Sequence, residues 1–206
     1  MFNPIQYISQ GDTPQEQLYH IESVLYAGQR WIQFRFKDTL TSIRWKTAEQ
    51  VKLLCDRYQA TLLINDDPDL ALAIDADGVH LGLQDRSIAE ARALLPHKII
   101  GGTANTLRDV KQRLEESCDY IGLGPLRYTP TKKKLSPLLG FDGYQQLLAA
   151  LTPEEKKTPL VAIGGITLAD VPILQQLGLS GIAVSSLLHQ AKSPQQLIKQ
   201  LNTYFL

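Results

Sequence analysis

Short apolar runs alternate with amphipathic segments along the whole chain. The apolar runs are rich in branched and aromatic side chains, which is typical of buried strands. Between these runs, apolar residues recur three or four positions apart, as at Leu18, Ile21 and Leu25, and this spacing predicts helices. The strand candidates are residues 6–8, 31–34, 61–64, 78–81, 98–100, 120–123, 160–163 and 181–184.

The alternation also predicts how the strands are connected. Hydroxyl residues, which are common N-caps, precede several helical segments. The N-cap candidates are Thr13, Ser87, Thr106 and Thr167. Strands separated by helices are expected to be parallel and joined by right-handed crossovers. A doubly wound open sheet is the alternative, but it usually has fewer strands and a glycine fingerprint that residues 9–12 lack. We therefore predict an α/β fold, a compact (β/α)8 TIM barrel, with residues 1–206 as a single domain.

Composition narrows the class of protein. The 21 Lys and Arg residues equal the 21 Asp and Glu residues, and this balance argues against nucleic-acid binding. Cys55 and Cys118 have no ligand-spaced partners and are expected to be reduced core thiols of an intracellular protein. The N-terminus lacks a signal-peptide pattern, and no apolar stretch approaches the roughly 18 residues of a membrane span. We expect a cytoplasmic protein that binds neither membrane nor nucleic acid; the sequence does not indicate its oligomeric state.

Polar residues follow nearly every strand candidate, at the end of the barrel where such enzymes carry their chemistry. The hydrogen-bonding and charged candidates are Gln33, Arg35, Lys37, Asn65, Asp66, Asp67, His80, Asp85, Thr103, Asn105, Thr129, Thr131, Lys132, Gly164, Gly165, Ser185 and Ser186. We interpret His80 as a structural histidine in preference to a general base.

The second strand candidate leads into three alternating polar residues. Gln33, Arg35 and Lys37 alternate with phenylalanines, so in an extended chain all three share one face. An inward Arg and Lys at the rim of a barrel need an anionic partner to offset their desolvation. A solvated polar strand edge is the alternative.

Two carboxylates follow neighbouring strands. Asp66 and Asp85 are expected to lie close together, because adjacent strands are about 4.8 Å apart. A cation between them would relieve their repulsion, and Mg²⁺ typically takes one or two carboxylates together with substrate phosphate. The alternative is that both are helix caps, near Pro68 and Ser87, with Asp67 and Asp69 as rival caps.

Three further segments predict phosphate binding. Residues 124–134 combine hydroxyls with a cluster of lysines directly after a strand. Gly164 and Gly165 follow the seventh strand candidate and Ser185 and Ser186 the eighth, where barrels commonly bind phosphate. A solvated loop and tight turns without a ligand are the alternatives.

These motifs together resemble those of the thiamine phosphate synthase family. The resemblance covers roughly residues 30 to 190, with the motifs in the same order. It rests on Gln33-x-Arg-x-Lys37, residues 63–66, residues 76–82 with Asp85, residues 99–103, residues 119–125 with Thr129-x-Thr-Lys132, residues 161–166 and residues 181–184. Three positions depart from the common pattern: Thr103 replaces a frequent Ser, Asn105 a frequent His, and Ser185 an aliphatic residue.

The resemblance implies a TIM-barrel transferase that condenses hydroxymethylpyrimidine diphosphate with thiazole phosphate, with Mg²⁺ as cofactor and pyrophosphate as the second product. It implies that Asp66 and Asp85 bind Mg²⁺. The pyrimidine diphosphate would be held by Gln33, Arg35, Lys37, Asn65, Thr103 and Lys132, of which Arg35, Lys37 and Lys132 would stabilise the leaving group. The thiazole phosphate would be held by Thr129, Thr131, Gly165, Ser185 and Ser186.

A dissociative reaction is consistent with these residues. The pyrimidine-bearing carbon can lose pyrophosphate to give a stabilised cation if the leaving charge is neutralised, so no side-chain nucleophile is needed. Two alternatives stay open, a related enzyme and a protein of a different class. One is a related thiazole tautomerase, which would favour an acid–base histidine; the other is a non-catalytic thiazole-phosphate-binding barrel.

Overall fold

Eight parallel strands form one closed barrel and pair in sequence order, from β1 to β8 and back to β1. The computed structural model describes residues 3–128 and 137–205. The strands are β1 Ile5–Ile8, β2 Trp31–Phe34, β3 Thr61–Asn65, β4 Gly78–Leu81, β5 Ile99–Ala104, β6 Tyr120–Leu123, β7 Leu160–Ile163 and β8 Gly181–Val184. The predicted (β/α)8 barrel is confirmed.

Helices follow the strands and surround the barrel. They are α1 Pro14–Tyr26, α2 Thr41–Arg57, α3 Pro68–Ala73, α4 Ile88–Leu94, α5 Leu107–Glu115, α6 Gly140–Ala149, α7 Val171–Gln176, α8 Ser186–His189 and α9 Pro194–Phe205, with 3-10 turns at Glu155–Lys157 and Leu168–Asp170. Thr13, Ser87 and Thr106 are N-caps with complete capping boxes, and Thr167 caps the second 3-10 turn in the same way. Over the described residues, none of the helices combines the length and apolar composition needed to cross a bilayer.

Strand β5 is longer than predicted because two glycines continue it. A Cβ atom at Gly101 would lie 2.2 Å from a ring carbon of Tyr120, and one at Gly102 would lie 2.7 Å from the Arg113 side chain. Glycine is poorly suited to strands in general. Here it makes room for a tyrosine ring inside the barrel on one face and for a buried arginine on the other.

The core has two parts. The larger part packs the outer faces of the strands against the helices. The smaller part fills the barrel interior with Trp31, Leu63, Tyr120, Val161 and Ala183. Because side chains alternate along a strand, inward positions two residues later lie one layer closer to the carboxyl end. Polar side chains begin in that layer, so the interior cluster is the floor of the candidate site.

Candidate active site

The inward side chains of Gln33 and Asn65 meet directly above the apolar floor. Gln33 Nε2 donates to Asn65 Oδ1 at 2.7 Å, and Gln33 is only 2% exposed. Gln33 Oε1 is buried and has no hydrogen-bond partner within the described part of the chain. A buried amide oxygen without a partner is costly. The arrangement therefore presents an acceptor to any ligand that brings an N–H donor onto this floor.

A lysine and two carboxyl groups form the next part of the rim. Lys37 Nζ lies 2.6 Å from Asp66 Oδ2, and the carboxyl groups of Asp66 and Asp85 are in hydrogen-bond contact with each other. Burial opposes the ionisation of Asp66, but its hydrogen bonds with Asp85 and Lys37 outweigh that effect and lower its pKa. Burial and the neighbouring Asp66 raise the pKa of Asp85.

Neither carboxylate caps a helix, so that alternative is wrong. Asp67 caps α3 by accepting the Leu70 N–H at 3.0 Å, and Ser87 caps α4. Asp85 accepts the Gly82 N–H at 2.6 Å, which fixes its turn. Asp66 has a left-handed backbone, with φ of 65°, so its side chain leaves the strand in an unusual direction.

The donor set fits the chemistry of Mg²⁺. No group of three or more His, Cys, Asp or Glu side chains with metal-binding geometry occurs within residues 3–128 and 137–205. Sites of all-protein ligands suit Zn²⁺ or Ca²⁺, whereas Mg²⁺ usually takes one or two carboxylates and completes its shell with water and substrate phosphate. Asp66 and Asp85 match that second pattern.

The Arg35 side chain is half-buried and lies near the negative charge of Asp66. Its backbone is tied to the residue after β1 and to α1, because the Arg35 N–H donates to Ser9 Oγ at 2.8 Å and Gln17 Nε2 donates to its carbonyl at 3.2 Å. Burial lowers the pKa of the guanidinium, and the negative charges of Asp66 and Asp38 oppose that shift. Lys37 pairs with Asp66, so both cations of this segment lie near the same carboxylate.

Thr103 ends a chain of hydrogen bonds that crosses the barrel interior. Gln6 Nε2 donates to the Tyr120 hydroxyl at 2.9 Å, which lies 2.8 Å from His80 Nδ1, and His80 Nε2 lies 2.9 Å from Thr103 Oγ1. If Tyr120 donates to Nδ1, the neutral imidazole carries its proton on Nε2 and donates it to Thr103. The threonine hydroxyl can then donate to a ligand. Both ring nitrogens of His80 are engaged, which supports its structural interpretation.

The turns after β7 and β8 lie side by side. Gly164 and Gly165 have φ of 97° and 63°, conformations that favour glycine. Ser185 precedes α8, and its hydroxyl lies 3.3 Å from Gln10 Oε1. Ser186 is the exposed first residue of the four-residue helix α8. Strands β7 and β8 are neighbours, so both predicted phosphate turns open on the same part of the rim.

The remaining predicted residues fall into two groups. Thr129, Thr131 and Lys132 lie outside the described residues. Asn105 is buried, and its side-chain amide donates to the Gly124 carbonyl, so it ties the ends of β5 and β6 together. Within the described residues its side chain therefore has a structural role.

Two arginines that brace the rim were missed by sequence reasoning. Arg113 Nε donates to the Thr103 carbonyl at 3.1 Å and its Nη2 to the Gly82 carbonyl at 3.0 Å, so it braces the ends of β5 and β4. Arg113 also pairs with Glu116, three residues later, whereas Arg127 pairs with the distant Asp170. Local spacing indicates the Arg113–Glu116 pair and the capping box of Thr167 and Asp170, but not the contacts between strands.

The closed barrel and its rim define a (β/α)8 enzyme fold with a carboxylate pair beside cationic side chains. The family model described as thiamine monophosphate synthase matches residues 6–188, and the chain belongs to this family. The predicted family and the transferase class are thereby confirmed.

Individual relatives agree with this assignment. The thiamine-phosphate synthase of Flavobacterium psychrophilum is 53% identical over 203 residues, which cover 98% of each chain. The thiamine-phosphate synthase of Flavobacterium johnsoniae is 48% identical over 203 residues, covering 98% of this chain and 96% of that protein. Among solved structures, thiamine phosphate pyrophosphorylase from Pyrococcus furiosus superimposes with a TM-score of 0.82 at 26% identity, covering 98% of this chain and 94% of that one.

Proposed function

We propose that this chain condenses hydroxymethylpyrimidine diphosphate with thiazole phosphate to give thiamine phosphate and pyrophosphate. Membership of the thiamine monophosphate synthase family supports the reaction. The single structural observation that carries the proposal is the oxygen of Gln33, unpartnered among the described residues, beside the cluster of Lys37, Asp66 and Asp85.

That juxtaposition matches the two halves of the pyrimidine substrate. An aminopyrimidine ring is flat and largely apolar, and its amino group is a donor that the Gln33 oxygen would accept on the apolar floor. The diphosphate on the adjacent methylene group would then extend toward the rim, where Arg35 and Lys37 carry positive charge. Asn65 holds the Gln33 amide in the orientation that presents its oxygen.

The bond changes require charge neutralisation more than a nucleophile. The bond between the methylene carbon and the diphosphate oxygen breaks, and its electron pair leaves with pyrophosphate. The thiazole nitrogen then donates its lone pair to the same carbon and forms the new C–N bond. Arg35, Lys37 and, by the family resemblance, Lys132 would stabilise the charge that grows on the leaving group.

Asp66 and Asp85 are the residues that would hold Mg²⁺. They are in mutual contact, and the pKa of Asp66 is lowered while that of Asp85 is raised, so together they could hold a divalent cation. Bound there, the ion would supply further neutralisation of the diphosphate. Lys37, paired with Asp66, would orient that carboxylate as well as face the substrate.

The thiazole phosphate would bind at the turns after β7 and β8. Gly165, Ser185 and Ser186 lie there, and the backbone amides of a glycine turn suit phosphate oxygens. The residues Thr129 and Thr131, proposed for the same phosphate, come shortly after β6 in the sequence. The thiazole nitrogen would thus approach the pyrimidine from the β6–β8 side of the rim.

The rival activities receive less support. A tautomerase would need an acid–base histidine, but both nitrogens of His80 are bound within the barrel and Asn105 is bonded to Gly124. A non-catalytic phosphate-binding barrel would have no use for a paired carboxylate site facing a lysine.

Purified chain should be incubated with both substrates and Mg²⁺, and thiamine phosphate and pyrophosphate measured by chromatography. Equal amounts of the two products are expected, and omission of either substrate should abolish both. Isomerisation of the thiazole without C–N bond formation would support the tautomerase instead. Binding of thiazole phosphate without turnover would favour the non-catalytic barrel.

A further inference from the structure

Arg127, just after β6, reaches across to the segment that follows β7. Its Nη2 lies 2.9 Å from Asp170 Oδ1, its Nη1 also contacts the second carboxylate oxygen, and Nη1 donates to the Gly165 carbonyl at 2.8 Å. The Asp170 side chain is 7% exposed and that of Arg127 is 42% exposed. The Arg127 guanidinium thus makes hydrogen bonds both to the buried Asp170 carboxylate and to the Gly165 carbonyl of the glycine turn.

Backbone hydrogen bonds from the same segment bind the preceding carbonyls of the turn. The Leu126 N–H donates to the Ile163 carbonyl at 2.9 Å, and the Arg127 N–H donates to the Gly164 carbonyl at 3.2 Å. The Gly165 carbonyl accepts from the Arg127 side chain. The carbonyls of Ile163, Gly164 and Gly165 therefore all face the segment that follows β6. A Cβ atom at Gly165 would lie 2.6 Å from Arg127 Cγ, so the two segments are in direct contact.

This arrangement determines where the amide groups of the turn point. A trans peptide directs its N–H opposite to its carbonyl, so the N–H groups of Gly165 and Ile166 face away from the β6 side. The other neighbour of β7 is β8, whose carboxyl end leads into Ser185 and Ser186. The two amides are therefore directed toward the part of the rim proposed for the thiazole phosphate.

Asp170 fixes the far end of the same turn. Its Oδ2 accepts the Thr167 N–H at 2.7 Å and the Thr167 hydroxyl at 2.8 Å. Hydrogen bonds from Arg127, more than from Thr167, lower the pKa of Asp170 to about 2. The carboxylate is thus ionised at neutral pH and holds both Arg127 and the residues that follow the glycines.

We propose that Arg127 is a positioning residue, which orients the amides of Gly165 and Ile166 toward the phosphate of the thiazole substrate without touching that phosphate. Asp170 holds the Arg127 guanidinium at the Gly165 carbonyl and away from the substrate phosphate. The inference rests on the proposed function, because it assigns the turn to one of the two substrates. Direct contact between Arg127 and the phosphate is the competing explanation.

The variants Arg127→Ala, Arg127→Lys and Asp170→Asn separate these explanations. Lysine keeps the charge but cannot bridge Asp170 and Gly165 with a planar fork. Positioning therefore predicts weaker binding of thiazole phosphate in all three variants, by about 10-fold to 100-fold for Arg127→Ala, the range of a lost charge-assisted hydrogen bond. Direct contact predicts that Arg127→Lys binds nearly normally and that Asp170→Asn, which frees the guanidinium, binds more tightly.

Arg92 provides a matched control at the opposite end of the barrel. It also joins an aspartate to a backbone carbonyl, with 2.7 Å from Nη2 to Asp119 Oδ2 and 2.7 Å from Nη1 to the Lys98 carbonyl. Both partners precede strands, so Arg92→Ala should leave the affinities for both substrates unchanged. Thermal unfolding of each variant would check that folding is retained.

Calorimetric titration with thiazole phosphate alone, followed by steady-state kinetics with each substrate varied, tests the inference. The expected result is a loss confined to the thiazole phosphate, with the KM for the pyrimidine diphosphate changed less than about twofold. Normal binding by Arg127→Lys, or tighter binding by Asp170→Asn, would overturn the inference and leave the proposed function standing. Failure of the wild-type chain to bind thiazole phosphate would overturn both.

Discussion

Lys37 Nζ lies 2.6 Å from Asp66 Oδ2, so a cation from the end of β2 and an anion from the end of β3 are held in contact at the rim. The lysine side chain is 50% exposed and the aspartate side chain 24% exposed. Exposed ion pairs contribute little to stability, with a typical value below about 1 kcal/mol. The pair is therefore better explained by what it presents to a ligand than by what it adds to folding.

The first prediction concerns the carboxylate pair. Asp66→Asn and Asp85→Asn should each lower kcat/KM by about 10²-fold, because each removes half of the charge available to a divalent cation beside the leaving group. Turnover measured across a range of Mg²⁺ concentrations would show a raised requirement for the ion in both variants.

Asp67→Asn is the matched control, since Asp67 is adjacent in sequence but caps α3. Asparagine is an equally good N-cap, but it weakens the ion pair with Arg44, so this variant should lose no more than about 1 kcal/mol of stability and retain activity. Full activity of the wild-type chain in excess chelator would contradict a metal role for Asp66 and Asp85.

The second prediction concerns Gln33 Oε1, which has no hydrogen-bond partner among residues 3–128 and 137–205. Gln33→Leu should raise the KM for the pyrimidine diphosphate by roughly 10-fold, because a buried hydrogen bond to the substrate is lost, while the KM for thiazole phosphate stays nearly constant. Steady-state kinetics with each substrate varied in turn would measure both constants.

Gln29 is a suitable comparison, because it is equally buried but donates to the Trp31 carbonyl at the other end of β2. Gln29→Leu should lower stability by about 1 to 3 kcal/mol without changing either KM. If Gln33→Leu behaved in the same way, Gln33 would be structural and the ring-binding role would be lost.

Most strands could be predicted from the sequence, but the full length of β5 could not. Seven of the strand candidates matched closely because burial and side-chain alternation leave a local pattern. The extension of β5 through Gly101 and Gly102 was missed, because its cause is the ring of Tyr120 on the next strand. Local propensity alone argues against glycine in a strand.

In the candidate site, too, local patterns in the sequence predicted some features and contacts between distant residues determined others. The alternation of Gln33, Arg35 and Lys37 predicted a shared face from strand geometry, but β2 ends at Phe34, so that prediction extends beyond the strand. Spacing could not decide between Asp66 and Asp67 as the cap of α3, because the choice depends on the left-handed backbone at Asp66. Arg127 and Asp170 are 43 positions apart, and only the barrel topology brings them together.

The third prediction concerns the hydrogen-bond chain that ends at Thr103. Thr103→Val, which keeps the shape but removes the hydroxyl, should lower kcat/KM by about 10-fold, whereas Thr103→Ser should lower it by less than about twofold. Tyr120→Phe should have an intermediate effect on activity, because it leaves His80 without the donor that fixes its tautomer.

A double-mutant cycle distinguishes this from a packing effect. If Tyr120 acts through His80 on the Thr103 hydroxyl, the double variant Tyr120→Phe/Thr103→Val should be about as active as Thr103→Val alone. Additive losses in the double variant would show that Tyr120 only fills the barrel.

The fourth prediction concerns stability at mildly acidic pH. His189 in α8 stacks on His20 with ring centroids 4.5 Å apart, and its Nδ1 lies 3.3 Å from the Tyr7 hydroxyl. Burial, and then the nearby His20, lower the pKa of His189. The folded chain therefore resists protonation there, whereas in the unfolded chain the group titrates near its ordinary value of about 6.5. Below that pH the unfolded state binds more protons, so stability should fall as pH decreases toward the lower pKa of the folded state.

Urea unfolding at pH 7.5 and at pH 5.5 would measure this contribution. The wild-type chain should lose more stability between these values than His189→Gln, which cannot titrate, and one proton limits the difference in slope to about 1.4 kcal/mol per pH unit. His97→Gln is the control, because His97 is exposed and its substitution should leave the wild-type dependence in place. An equal loss of stability in the wild type and His189→Gln would show that the stacked histidines do not control the acid sensitivity of the fold.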